Sequence, residues 1–547
     1  MGTRTAANSF VKRTTFSSAI NIFPNEVTQS STDMISDNES TKHLHVRPYS
    51  EIPGPKELPL IGNSWRFAPL IGNFCGEPVP GQYRIQDLDK VMYSLNKQYG
   101  KIAKVGGLIG HPDLLFVFDG DEIRNIFKKE ETLPHRPSMP SLHHYKSKLR
   151  KDFFGDDAGL IGVHGEKWDN FRAQVQHVML QPSTARKYIM PLNEIANDFM
   201  DRVHEMRDEN NELPGHFLSE LYKWALESVG RVALDTRLGC VSREGNDESK
   251  RIIDAINTFF WSVAEVELRM PVWRFYKTKA YRNYIGALDS FTELCMKHIN
   301  IAIENMNNSV AIKDEDNLSI IERIVQKTGN PKIAAVLALD LFLVGVDTTS
   351  VAATSTIYQL SQNPDKQEIL YKELKSIMPD VRSPVDTKIL EQMPFLRACV
   401  KETLRLYPVV IGNGRNLQSD AIINGFHVPK GTHVIFPHLA VSNSAEYFPE
   451  PQRFMPERWI KRGELSDASN CPYAGQKIHP FVSLPFGYGR RMCIGRRFAE
   501  NELHILVAKV FFRKYKIEYN YGKLTYKVNP TYIPEQPLKF KLTERQN

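Results

Sequence analysis

Phe486-Gly487-Tyr488-Gly489-Arg490-Arg491-Met492-Cys493-Ile494-Gly495 holds one cysteine between glycines, with an arginine two residues ahead of it, and spells F-x-x-G-x-R-x-C-x-G. The run Arg496-Arg497-Phe498-Ala499-Glu500-Asn501-Glu502-Leu503 reads as the start of a helix. A cysteine at that place suits an anionic metal ligand, because backbone N–H groups and the positive helix end favour thiolate over thiol. The flanking glycines let the backbone approach a flat cofactor. A free cysteine is otherwise a small buried hydrophobe, so the rest of the chain decides between these readings.

The longest apolar pattern runs from Lys332 to Asn363, with Pro331 before it and Pro364 after it. Only Asp340 and Asp347 are charged between Lys332 and Asp365. Its length would suit a bilayer span, but two interior aspartates and a helical period predict a central buried helix. It carries Val344-Gly345-Val346-Asp347-Thr348-Thr349-Ser350. Gly345 removes a side chain where a ligand could lie against the helix, and Thr348 can open the i→i−4 ladder by bonding backbone. Helical periodicity also runs through 186–236, 248–268 and 280–306.

Three further patterns precede the cysteine. Glu402-Thr403-Leu404-Arg405 puts an acid and a base three residues apart on one helix face. Phe454-Met455-Pro456-Glu457-Arg458-Trp459 supplies a second arginine. Trp168 and Arg172 stand at helical i,i+4 spacing.

In this order these elements resemble the cytochrome P450 family: its cysteine signature, its oxygen-binding helix [AG]-G-x-[DE]-T-[TS], and its E-x-x-R, P-E-R-F and W-x-x-x-R elements. The resemblance covers about residues 50–547. It implies the cytochrome P450 fold, mainly α with a small β-rich subdomain, and haem b as cofactor. Cys493 would be the thiolate ligand of the iron, and Phe486 would shield the ligand loop. Arg491, Trp168, Arg172 and Arg415 would hold the propionates. Asp347 and Thr348 would deliver the two protons that dioxygen reduction needs. Glu402, Arg405 and Arg458 would form a buried cluster behind the haem. Val344 departs from the family's Ala or Gly and would narrow the pocket. By the same resemblance the pocket draws on the 135–165 loop, Phe259-Phe260-Trp261, Phe342, Val346, Val409-Val410-Ile411, Tyr532 and Ile533. These side chains suit a lipophilic, steroid-like or other hydrophobic substrate, whose identity and site of oxidation the sequence does not give.

The chain has 547 residues, 41% hydrophobic and 24% charged, an ordinary globular composition. Residues 1–25 carry Arg4, Lys12 and Arg13 but no acid, with Ser and Thr among scattered apolar residues. That is the composition of a mitochondrial transit peptide, and no run there is long enough to span a bilayer. The expected organisation is a transit peptide and flexible connector over 1–47 and a catalytic domain over 48–547. Pro53-Gly54-Pro55 and Pro59 open the folded part as a stiff lead-in. Pro59-Leu60-Ile61-Gly62-Asn63 recurs as Pro69-Leu70-Ile71-Gly72-Asn73, and 73–81 reads as an insertion. Six cysteines at irregular spacing, none in C-x-x-C, argue against a disulfide framework or zinc site and for a reducing compartment.

Electrons must come from outside, because no Walker loop or dinucleotide fingerprint is present. Arg397 and Lys401 flank Glu402, and Arg490, Arg491, Arg496 and Arg497 flank the cysteine. The pattern resembles the family's mitochondrial branch, which docks an acidic [2Fe–2S] ferredoxin served by an NADPH reductase. Leu221-Tyr222-Lys223-Trp224-Ala225-Leu226-Glu227-Ser228 and Asp235-Thr236-Arg237-Leu238-Gly239-Cys240 resemble that branch, and its insect members in particular. Those include ecdysteroid hydroxylases and a member linked to cuticle formation, the latter being the preferred comparison. Met270-Pro271-Val272-Trp273-Arg274-Phe275-Tyr276-Lys277 mixes aromatics with cations, consistent with peripheral contact on the matrix side of the inner mitochondrial membrane. The net charge of +7, or +4 without the three N-terminal cations, gives no argument for nucleic acid. A haem-thiolate isomerase or dehydratase without dioxygen chemistry, and a non-catalytic haem sensor, are the rival readings. The Asp347–Thr348 pair speaks for oxygen activation.

Overall fold

The computed structural model describes residues 46–67, 87–242, 246–267, 269–308, 318–461, 463, 472–535 and 537–545. The expected leader up to residue 45, the 73–81 insertion, and Cys75 and Cys471 lie outside them. Residues from Val46 onward form one compact unit.

The helix Pro331–Gln362 is the axis of the fold. Asn330 caps its start by accepting from the Lys332 N–H at 3.0 Å, and Pro331 occupies the first turn, where no N–H is needed. At the other end Asn363 precedes Pro364, which opens Pro364–Ile377. The helix is long and apolar enough to cross a membrane, yet 78% of its most apolar window is buried inside the protein. The surrounding helices Phe217–Leu234, Lys279–Asn308, Ile320–Thr328, Pro394–Leu406 and Arg496–Ile505 pack against it, which explains the apolar character on all sides.

The expected helices at 248–268 and 280–306 appear as Asp247–Glu267 and Lys279–Asn308. The periodic stretch 186–236 is not continuous. It divides into Pro182–Lys187, Ile189–Glu205 and Phe217–Leu234, with a turn through Asp208, Asn211 and Pro214-Gly215 before the last. Asn211 there has φ +61°, which no continuous helix accommodates.

The β-structure is small. A four-stranded mixed sheet runs Ile102–Val105, Leu114–Val117, His433–Phe436, Asn413–Asn416, with only the central pair parallel. It has its own apolar core, separate from the large helical one. The described residues also form three two-stranded ribbons: Ala421–Ile423 with Phe426–Val428, Tyr515–Glu518 with Lys541–Glu544, and Tyr526–Asn529 with Thr531–Pro534. The proline lead-in lies against the sheet: the Lys104 N–H donates to the Pro53 carbonyl at 2.8 Å. A side chain at Gly54 would strike the Lys104 carbonyl at 1.9 Å, so only glycine fits.

Candidate active site

The cysteine loop is closed by its own backbone. The Cys493 N–H donates to the Phe486 carbonyl at 2.9 Å, and the Met492 N–H to Gly489 at 3.0 Å. Gly487 and Gly489 hold φ of +71° and +72°, the left-handed conformation that glycine permits. Gly489 also lies against Glu130, whose Oε2 a Cβ would meet at 2.8 Å. Phe486 is half-buried against the helical core and presents its ring to the Arg496 guanidinium at 5.5 Å. The helix Arg496–Ile505 starts three residues after Cys493.

Cys493 is enclosed by protein, yet its side chain keeps contactable surface. Burial pushes its thiol pKa up; the Gly495 N–H and the charges of Arg172, Arg136 and Arg496 pull it down, and burial wins. The helix end alone therefore does not make the thiolate expected from the sequence. A bound metal cation must displace the proton.

Around this loop four guanidinium groups converge. Arg491 donates to the carbonyls of Pro134 at 3.0 Å and Val163 at 3.1 Å, and lies 3.5 Å above the buried Trp168 ring. Burial first, then the repulsion of Arg136 and Arg415, lowers its pKa to about 9. Arg172 donates to the Met492 carbonyl at 3.1 Å. Arg415 pairs with Glu130, donates to the Gly414 carbonyl at 2.9 Å, and lies 5.0 Å from the Phe127 ring. Arg136 feels the charges of Arg415 and Cys493. Glu130, acting on Arg491, and the Cys493 sulfur, acting on Arg136 and Arg172, are the groups that oppose these cations in the shifts they show. Nη2 of Arg491, Nε of Arg172 and Nδ1 of His135 and His164 are buried without a hydrogen-bond partner among the described residues. The last two rings lie tilted at 33° with centroids 4.4 Å apart, and burial with neighbouring charge holds His164 at about 3. An excess of buried positive charge, spare donors and one soft sulfur ligand fit an iron macrocycle carrying two carboxylates.

Behind the loop, Glu402 is saturated. Arg405 donates to its two oxygens at 2.9 and 2.8 Å, Arg458 at 3.3 Å, the Met455 N–H at 3.1 Å, and Trp459 Nε1 at 2.9 Å. Glu402 and Arg405 expose no side-chain surface. Where the family pattern ends in Phe, Trp459 adds a donor that the sequence did not announce.

On the central helix, Leu341, Val344, Gly345 and Thr348 alone between Ile333 and Ser361 are not buried. Their i,i+3,i+4,i+7 spacing defines one face, open along an otherwise sealed helix. The Thr348 hydroxyl donates to the Val344 carbonyl at 2.7 Å, as expected of a ladder-opening threonine. Phe342 and Val346, named above as pocket residues, are buried in the core instead. Phe259 and Phe260 are buried too, while Trp261 is exposed under Lys527. Gly345 is required by a neighbour: its Cβ would meet Val229 at 2.9 Å.

The loop thus brings Cys493, Phe486, Arg491, Trp168, Arg172 and, through Arg136, Arg415 into one electrostatic site. Asp347 and Thr348 are sequence neighbours but not partners. Asp347 is buried and accepts from Tyr222 and Thr531. Sequence reading missed Arg136, Tyr222 and Thr531. Pro134-His135-Arg136-Pro137 has no fixed spacing to the cysteine, and hydroxyls paired across 125 and 184 positions leave no local pattern.

The cytochrome P450 family profile matches residues 65–542. A Drosophila melanogaster protein named probable cytochrome P450 49a1 is 68% identical over 503 residues, covering 91% of this chain and 83% of its own length. Probable cytochrome P450 301a1, mitochondrial, of the same organism is 45% identical over 508 residues, 92% of this chain and 89% of its own. Probable cytochrome P450 12a5, mitochondrial, also from Drosophila melanogaster, is 34% identical over 511 residues, 92% of each chain.

Proposed function

The chain belongs to the cytochrome P450 family and is a haem-thiolate monooxygenase carrying haem b, and we propose that it oxidises a lipophilic substrate in the mitochondrion with electrons from an acidic ferredoxin. The observation that carries the site assignment is the convergence of Arg136, Arg172, Arg415 and Arg491 around the Cys493 loop. In this reading 48–547 is the catalytic domain, preceded by a transit peptide and connector. Cys493 ligates the iron, and Phe486 covers the loop.

Bound haem b supplies dioxygen activation, with the thiolate favouring O–O cleavage. The protein's own groups do the rest. Arg491 and Arg415, with Trp168 beneath Arg491 and Arg172 beside the loop, hold the carboxylate edge. Asp347 and Thr348 move protons toward the open face of the central helix. Leu341 and Val344 on that face, with Val409, Val410 and Tyr532, make an apolar wall that excludes water and holds a hydrophobic substrate. Val344 narrows this space compared with the Ala or Gly usual in the family.

The donor surface is smaller than the sequence implied. Arg490 is engaged by Asp169 at 2.5 Å and Arg496 by Glu500 at 3.0 Å, while Arg491 points inward. Lys401 is exposed and has no ion pair among the described residues, and its charge and that of Arg397 act together on His504. These two are the steering cations for a ferredoxin. Two relatives named mitochondrial support the compartment.

A second surface supports peripheral membrane contact. Leu60 and Phe275 are 102% and 93% exposed, with Ile61, Ile109, Met270, Val272 and Tyr276 also exposed. The Ile109 N–H donates to Ser64 at 2.7 Å, and His111 hydrogen-bonds the Arg269 carbonyl at 3.0 Å, so these loops share one edge, beside Arg274 and Lys277. An apolar patch rimmed by cations suits an anionic lipid surface.

Reconstitution with an acidic [2Fe–2S] ferredoxin, its reductase and NADPH tests the reading. Lys401→Glu should raise the ferredoxin concentration needed for half-maximal rate several-fold and leave haem content unchanged. Reduction of the parent no faster by this ferredoxin than by an uncharged chemical donor would overturn the ferredoxin assignment.

A further inference from the structure

Among the described residues, the carboxylate of Asp347 is held without a cation. Its Oδ1 accepts from the Tyr222 hydroxyl at 2.9 Å and its Oδ2 from the Thr531 hydroxyl at 2.7 Å. The three side chains come from the central helix, the helix Phe217–Leu234 and the strand Thr531–Pro534, and all three residues are buried. The two latter elements are packed on the central helix. Burial raises the Asp347 pKa and the two hydroxyls lower it; no charged residue contributes. This contrasts with Asp340, two turns earlier on the same helix, which pairs with Lys146 at 2.8 Å.

The difference has a chemical consequence. An acid locked to a buried ammonium or guanidinium takes up a proton only by leaving a buried cation unpaired, which is costly. Asp347 carries no such penalty. When a proton adds to Oδ2, forming one O–H bond there, the Thr531 hydroxyl can turn from donor to acceptor, since an aliphatic hydroxyl serves as either. Tyr222 remains a donor to Oδ1, its own pKa pushed far up by burial and by the neighbouring acid. Both hydrogen bonds survive the change of charge. Asp347 lies about 100° around the helix from Thr348, on the sealed side, while Thr348 belongs to the open face.

We propose that Tyr222 and Thr531 are positioning residues for proton delivery: they hold Asp347 by reversible hydrogen bonds alone, so that it can gain and release a proton without breaking an ion pair or moving its neighbours. The inference rests on the monooxygenase reading above and on Asp347 as its acid.

The experiment uses the full-length haem-loaded protein and two readouts. The first is the infrared carbonyl stretch of protonated Asp347, assigned by difference against Asp347→Asn and followed across pH. Removing one hydrogen-bond donor to a charged carboxylate raises its proton affinity about tenfold, so Tyr222→Phe and Thr531→Val should each shift the titration to higher pH, and Thr531→Ser should not. The second is NADPH consumed per product formed. It should rise in Thr531→Val and return to the parent value in Thr531→Ser, a rescue that loss of packing alone does not predict. A titration identical in Tyr222→Phe, Thr531→Val and parent overturns the proposal, as does unchanged coupling in Thr531→Val. If Thr531→Val fails to fold, the infrared shift of Tyr222→Phe decides alone. A parent that makes no product sinks the monooxygenase assay, not the infrared result.

Discussion

Replacing Arg405 measures how far the polar cluster behind the cysteine loop sustains the fold. Its side chain is fully buried. It makes the two-pronged bond to Glu402 and also donates to the carbonyls of Ser442 at 2.9 Å and Arg453 at 3.3 Å. Arg405→Met leaves Glu402 to Arg458, Trp459 and the Met455 N–H, and strips a donor from both carbonyls. Breaking a buried ion pair by removing one partner costs about 3–5 kcal/mol, against a total stability of about 5–15 kcal/mol. Arg405→Lys keeps the charge but not the planar fork. One ammonium cannot bridge Glu402 and span both carbonyls, so the loss should be about 2–3 kcal/mol. Urea unfolding followed by tryptophan fluorescence reads both values, with the slope unchanged if only stability has moved. If Arg405→Lys and Arg405→Met both unfold within about 0.5 kcal/mol of the parent, the range of a neutral surface substitution, the cluster does not carry the fold.

Two further outcomes are expected. Burial lifts Glu502 to about 8 in the folded protein, from an ordinary 4.5. The folded state thus binds this proton more tightly, and its contribution to stability is complete below pH 4.5 and lost as pH rises through about 8; Glu502→Gln should gain stability over the parent across that window, read from thermal melts at a series of pH values. Gly489→Ala should cost about 1–2 kcal/mol of left-handed strain and also push Glu130 off Arg415, whereas Gly239→Ala shares a φ of +72° with open space around it. Faster haem loss to apomyoglobin from the first variant than from the second would tie Gly489 to the cofactor edge, and equal loss would reduce it to a backbone turn.

Features written in short spacing were legible in the sequence. The Cys493 loop, the Glu402–Arg405 pair and the ends of the central helix all depend on residues within a few positions of one another or on capping chemistry, whereas Arg458 joins that pair from 56 positions away through its own short motif. The break inside 186–236 was legible but passed over: Asp208-Glu209-Asn210-Asn211 and Pro214-Gly215 are turn signals, and the backbone at Asn211 makes the turn. The choice between Phe342 and Leu341 as a lining residue depends on the rotation of a helix that is apolar on every side, which periodicity cannot set. Arg136 and the partners of Asp347 come from segments far away in sequence, and only folding brings their hydroxyls and guanidinium to the site. Conversely, the helix-end argument for a thiolate at Cys493 left out desolvation, which outweighs it until a metal binds.

The most direct test of the account is the absorption spectrum of the reduced protein under carbon monoxide, compared between parent and Cys493→Ser at equal haem content. The account predicts a thiolate-type Soret band in the parent and its absence in Cys493→Ser; a thiolate-type band that persists without Cys493 contradicts it.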